Sequence, residues 1–224
     1  MTTNETFDGA YTSGWMHRFA DSAYATETEL TALDQRVGDG DFGINLSAGV
    51  RAALRLFDRG GSHEKASEPL ETVATAFLDE IGGTSGPLFG LLFQALGAAV
   101  AASGTTLTTA GLAEGTEEGL AAIRRVGEAA PGDKTLVDAL TPAARSLRAE
   151  PADSPPDRAL AAAADAAWQG VRDTARLRAR MGRASYLGDR VTGVPDPGAV
   201  GIALLFASAG GTVHSLEPYL RGDG

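Results

Sequence analysis

Apolar residues recur at intervals of three and four through most of the chain, the spacing of one face of a helix. In the first such segment Trp15, Met16, Phe19, Ala20 and Ala23 share a face and predict an opening helix. The same periodicity predicts helices over 43–57, 66–81 (Leu70, Val73, Ala74, Phe77, Leu78, Ile81), 86–103, 107–126, 134–149, 157–182 and 197–209. Strand-like alternation is nearly absent, so the expected fold class is all-α. Gly86 to Ser103 is apolar almost all round, which predicts the buried hub of a bundle. It is too rich in alanine and glycine, and barely long enough, to favour a membrane anchor. Between the periodic stretches stand Gly60-Gly61-Ser62, Gly82-Gly83-Thr84-Ser85, Pro131-Gly132-Asp133-Lys134 and the proline-rich Pro151 to Pro156. These are stop and cap residues. None of them reads as a domain linker, no internal repeat is present, and one domain over 1–224 is expected.

Composition narrows the function. With 224 residues, 43% of them hydrophobic, the chain can bury a sizeable core. Its 19 basic and 29 acidic residues give a net charge of -10 without a basic cluster, and aromatics are only 6%, so nucleic-acid binding is not expected. The absence of cysteine removes disulfides, thiolate metal sites and cysteine nucleophiles. The first residues, MTTNETFDGAYTSGW, lack the basic and apolar regions of a secretory signal, and the expected location is cytoplasmic, with no membrane partner.

Chemistry concentrates in Leu33-Asp34-Gln35-Arg36-Val37-Gly38-Asp39-Gly40-Asp41-Phe42-Gly43-Ile44-Asn45. Three carboxylates, Asp34, Asp39 and Asp41, fall within eight residues, interleaved with glycines that allow the backbone to turn them toward one point. Oxygen donors of this kind suit a hard cation such as Mg2+, which shares its shell with waters and substrate phosphates. An EF-hand is excluded, because the twelfth position from Asp34 is Asn45 rather than glutamate. The competing reading leaves Asp39 and Asp41 as turn formers that cap the next helix. Gly82-Gly83-Thr84-Ser85-Gly86-Pro87 offers glycines, hydroxyls and a helix start to a phosphate, and fits a C-cap followed by an N-cap equally well. Arg183, on the glycine-rich connection Gly182 to Arg190, suits phosphate neutralisation. Asp196 before Pro197 also fits a helix cap. For Lys134 and Thr135, the favoured reading is that Asp133 caps a helix and Lys134 is solvated. His17, His63 and His214 share no metal or triad spacing, and Asp79 and Asp138 have only their charge to recommend them.

These motifs, together with Asp133-Lys134-Thr135-Leu136-Val137-Asp138-Ala139-Leu140 and the run from Gly182 to Ala199, occur in an order that resembles the L subunit (DhaL) of dihydroxyacetone kinases. The resemblance implies an antiparallel barrel of about eight helices with a nucleotide, ADP or ATP, at one end. It implies that Asp34, Asp39 and Asp41 hold the phosphates through magnesium and act in catalysis together with Arg183. It further places Asn45, Gly83, Thr84 and Ser85 along the phosphates, and Asp196 and Gly198 in the nucleotide pocket. Phe42 departs from the family, in which histidine or threonine often follows the last motif aspartate, so a polar contact is expected to be missing.

The implied function is the Mg-nucleotide-binding half of a kinase. A partner K subunit would bind the dihydroxyacetone-like acceptor, and a phosphotransferase-system subunit is a candidate phosphoryl donor. Phosphoryl transfer asks mainly for positioning and charge stabilisation, which aspartates, hydroxyls and an arginine provide. The alternative is a nucleotide-sensing regulatory module without turnover. The resemblance also leaves room for a homodimer.

Overall fold

The computed structural model describes residues 6–60, 63–80 and 85–221. Among these the chain forms α1 (Gly9–Gln35), α2 (Phe42–Gly60), α3 (Ser67–Glu80), α4 (Ser85–Ser103), α5 (Thr109–Gly127), α6 (Val137–Ala149) and α7 (Pro156–Thr174). A 3-10 segment (Arg183–Val191), α8 (Pro197–Ala207) and a short α9 (Glu217–Arg221) follow, and no strand occurs among the described residues. Each helix from α1 to α8 packs on the next, and α8 returns to α1, so the ring closes into a barrel. Short connections make successive helices run antiparallel from α1 to α7, and across the long 175–196 connection the Gly193 and Asp196 N–H groups, donated to the Ala175 carbonyl and Thr174 Oγ1, bring the start of α8 beside the end of α7. The C-termini of α1, α3, α5 and α7 therefore share one end with the N-termini of α2, α4, α6 and α8.

The ends of several helices follow from local chemistry. Asp8 caps α1 by accepting the Ala10 and Tyr11 N–H groups, at 2.9 and 3.2 Å. Thr108 caps α5 through Gly111 N–H, and Asp196 caps α8 through Ala199 N–H with Pro197 in the first turn.

Where sequence and structure differ, tertiary contacts are the cause. The expected hub, α4, stands in the barrel wall between α3 and α5, with Gln94, Ala98, Ala101 and Ala102 exposed. It is long and apolar enough to cross a membrane by length and composition, yet half of it is buried in this wall. The helix enclosed on every side is α8, buried from Ala199 to Phe206 against α7, α6 and α1. Trp15 Nε1 donates to the Leu205 carbonyl at 2.7 Å, and Arg18 donates to the Ser208 and Ala209 carbonyls at 2.9 and 2.8 Å, closing the α1–α8 seam.

The helix expected over 157–182 ends at Thr174. Its last carbonyls are taken from outside, Thr174 O by the Lys134 ammonium and Ala175 O by Gly193 N–H. The helix expected from 134 starts at Val137, because Lys134 is left-handed at φ +62°.

Candidate functional site

Residues 36–41 connect α1 to α2 and bring three carboxylates together. Val37 and Gly38 N–H groups donate back to the Asp34 carbonyl, Gly40 is left-handed at φ +80°, and Asn45 N–H donates to the Asp41 carbonyl as α2 begins. Asp34 Oδ2 accepts the Phe42 N–H at 3.1 Å, so a carboxylate from the end of α1 satisfies the start of α2. Gly38 lies so close to Asp34 that a Cβ there would sit 2.3 Å from Oδ1. One oxygen from each of Asp34, Asp39 and Asp41 lies within 4.8 Å of the others. Neighbouring oxygens at about 2.1 Å around Mg2+ are roughly 3 Å apart, so three carboxylate oxygens within 4.8 Å of one another come onto one ion by closing at most about 2 Å, within reach of side-chain rotation. The all-oxygen donor set suits that cation, and open coordination positions remain for phosphate and water.

Electrostatics favour a cation here. Burial raises the Asp34 carboxyl above its ordinary range, the Phe42 N–H bond opposes the rise, and the charges of Asp39 and Asp41 add to it. Arg183 enters from the 3-10 segment and pairs with Asp39, Nη1 to Oδ2 at 2.7 Å. The N-termini of α2, α4, α6 and α8 add their partial positive charge at this end of the barrel.

Beside the carboxylates is a cavity of about 360 Å³. Asp34, Asp39, Asp41, Asn45, Ser85, Arg183, Asp196 and Gly198 all line it. Gly83 and Thr84, expected along the phosphates, lie outside the described residues. Leu88, Ile123, Leu136, Val137 and Met181 make one wall apolar, with Gly127 and Ala129 beside them. The sequence reading does not assign these residues, because their spacing fits ordinary packing. Phe42 also lines the cavity, but it is 6% exposed and its ring packs on Phe89, so its side chain belongs to the core.

Lys134 requires a correction. It is 2% exposed, and its ammonium donates to the Thr174 and Val194 carbonyls. Nor does Asp133 cap α6: its carboxylate accepts Ala130 N–H, while Asp138, inside the helix, takes the Gly132 and Thr135 N–H groups. The positive φ of Lys134 itself, two residues after a left-handed Gly132, keeps it out of the helix and turns its side chain inward. Burial lowers the Lys134 ammonium from its ordinary value, opposed by Asp196 and Asp138. Asp196 is half-buried, and burial pushes its carboxyl up to about 7 against the Ala199 N–H bond and the Lys134 charge.

Fold and site together define a class: a closed all-helical barrel that gathers carboxylates, an arginine and helix N-termini at one end around an anion-sized cavity. The family model described as "DAK2 domain" matches residues 36–210, and the chain belongs to this family. The ADP-binding subunit DhaL of a PEP-dependent dihydroxyacetone kinase from Listeria innocua is 34% identical, over 90% of this chain and 95% of that protein. An L-erythrulose kinase from Pectobacterium atrosepticum is 36% identical over 87% of this chain, which spans only 33% of the relative. The solved structure of the dihydroxyacetone kinase from C. freundii with AMP-PNP and Mg2+ superposes with a TM-score of 0.66 at 29% identity. It covers 91% of this chain and 34% of its own. The chain thus spans about a third of the longer kinases and nearly the whole of the DhaL subunit.

Proposed function

We propose that this chain, as one domain, is the Mg-nucleotide-binding subunit of a dihydroxyacetone-type kinase. It presents a phosphoryl group to a small hydroxyketone held by a partner K subunit. The observation that carries the reading is the convergence of Asp34, Asp39 and Asp41 beside one cavity that also takes in Arg183, Asn45 and Ser85. Asp34, Asp39 and Asp41 would hold Mg2+ there, and the ion would supply positive charge against the negative charge that develops on phosphoryl transfer. Asp34, fixed by Phe42 N–H and pressed against Gly38, anchors the metal set, while Asp39 and Asp41 complete it from the more exposed side. Arg183, paired with Asp39, supplies a planar cationic guanidinium to the cavity. Asn45 and Ser85 bring hydrogen-bonding groups to the cavity, and its apolar wall suits the base of ADP or ATP.

The rim supports a partner at this end. The exposed large apolar residues Ile44, Leu78, Val126 and Tyr186 lie in the first turn of α2, the last turns of α3 and α5, and the 3-10 segment. The three helix termini all face the cavity end, where a K subunit would dock and exclude water from the transfer. Similarity to PEP-dependent subunits supports a phosphotransferase-system donor, and the packing of α4 into the wall supports a cytoplasmic protein.

Purified chain, Mg2+, ATP and a cognate K subunit with dihydroxyacetone test the reading. Transfer of phosphate to the ketone, dependent on both proteins, is the expected result. Binding of Mg-nucleotide with no transfer under any donor would assign the regulatory alternative instead.

A further inference from the structure

The cavity contains one group that a purely apolar packing residue would replace at lower cost. Lys134 buries an ammonium and holds a non-glycine backbone at φ +62°, and both features cost free energy. Methionine would fill similar space without burying a charge. What the ammonium adds is a junction. Nζ donates to the Thr174 carbonyl at the end of α7 and to the Val194 carbonyl, two residues before Asp196. Thr174 Oγ1 accepts the Asp196 N–H at 2.8 Å, and Asp196 Oδ2 accepts the Ala199 N–H at 2.8 Å. The chain from Val194 into the first turn of α8 is thus pinned at three points, and this stretch carries Asp196 and Gly198 into the cavity. One residue before the lysine, the Asp133 carbonyl accepts the Arg180 N–H at 3.1 Å and anchors the approach to Met181 and Arg183.

We propose that Lys134 is a positioning residue for the nucleotide. Its ammonium ties the end of α7 to the 191–196 connection and so fixes the cavity wall that Asp196 and Gly198 form. This rests on the reading of the cavity as a nucleotide site. Asp34 at the end of α1 and Asp39 and Asp41 on the connection to α2 are not hydrogen-bond or ion-pair partners of Lys134, whose ammonium is taken by the Thr174 and Val194 carbonyls, so nucleotide and metal effects should separate.

The experiment measures ADP affinity by calorimetry, in excess Mg2+ and in EDTA, for wild type and Lys134→Met. The expected result is a loss of about tenfold or more in both conditions, the scale of one lost charged hydrogen bond. The ratio of the two affinities should stay within about twofold of wild type, because metal-nucleotide coupling is untouched. In 13C NMR the Asp196 carboxyl should titrate higher in the variant. It loses the Lys134 charge and keeps Asp138 and Asp34 as its charged neighbours, a change that a merely space-filling role would not produce. Unaltered ADP affinity in Lys134→Met overturns the proposal, as does a collapsed ratio, which would route Lys134 through the metal set. If Lys134→Met loses its helical circular dichroism, Thr174→Val decides, since it frees the Asp196 N–H, removes within α7 only the hydroxyl bond to the Val171 carbonyl, and leaves both carbonyls that Lys134 holds in place. A loss of about threefold with the ratio preserved supports the proposal, and wild-type affinity overturns it. Wild type that takes up no ADP overturns the nucleotide reading, and the proposal with it.

Discussion

Gly38 carries a demand that only its neighbour explains. The missing Cβ is what lets Asp34 Oδ1 occupy its place, so Gly38→Ala should displace that carboxylate and weaken Mg-dependent ADP binding by about tenfold or more, with the helical signal retained. Removing a ligand outright goes further: Asp39→Ala should abolish metal-dependent nucleotide binding and free Arg183 from its ion pair. Calorimetry with and without Mg2+ checks both. Asp196 makes a pH prediction. Its folded carboxyl titrates at about 7, above the 3.8 of an ordinary aspartate, so the native state holds a proton that the unfolded chain releases. The stability this confers is full below about pH 4 and is lost as pH rises through about 7. Asp196→Asn keeps an oxygen for Ala199 N–H and cannot ionise, so the ligand-free variant should melt above wild type at pH 8, by less at pH 5, and close to it only near pH 4. Equal melting at pH 8 would refute the raised carboxyl.

Helices α1 and α8 meet at the seam that closes the barrel, and side-chain hydrogen bonds from Trp15, Arg18 and Ser22 of α1 hold it. Arg18 donates to two carbonyls beyond the end of α8, the groups a helix terminus leaves without partners. Arg18→Met keeps the aliphatic stem and loses both bonds, which should cost about 2 kcal/mol in urea unfolding. Nucleotide affinity should change little at temperatures where the variant is folded, because the seam carbonyls lie at the opposite end of α8 from Gly198. The same comparison explains why α4 misleads. Its apolar faces serve two neighbours and leave a small-residue strip outside, whereas α8 is short, has no charged side chain and is enclosed by α7, α6 and α1. Hydrophobic content alone does not distinguish a wall helix from an enclosed one.

The alternation of eight helices around the ring puts every even-numbered N-terminus and the α1–α2 carboxylates at one end, a charge pattern that suits both an anion and a cation. A ligand bound only by the native state raises stability, so Mg-ADP at a hundred times its dissociation constant should add about 2.7 kcal/mol, or roughly 5–10 °C in melting temperature. No shift under those conditions would leave the carboxylates as turn formers. Ile44 stands at the rim and is 55% exposed. Ile44→Asp should weaken K-subunit association, measured by sedimentation, while ADP affinity stays near wild type.

Periodicity was enough to show that helices build the chain and roughly where, because an amphipathic stripe is a local property, but not where α6 starts or α7 ends. The glycine-spaced aspartates likewise announced an oxygen-ligand site, since Asp34, Asp39 and Asp41 are too near in sequence to scatter far. Other features lay beyond local reading. Lys134 turns inward because carbonyls 40 and 60 residues away accept its protons, α7 stops where those same contacts capture its last carbonyls, and the apolar cavity wall is assembled from α4, α5, α6 and the 3-10 approach. Short-range spacing encodes which groups a turn can gather. Burial and charge depend on chain segments that only ring closure brings together.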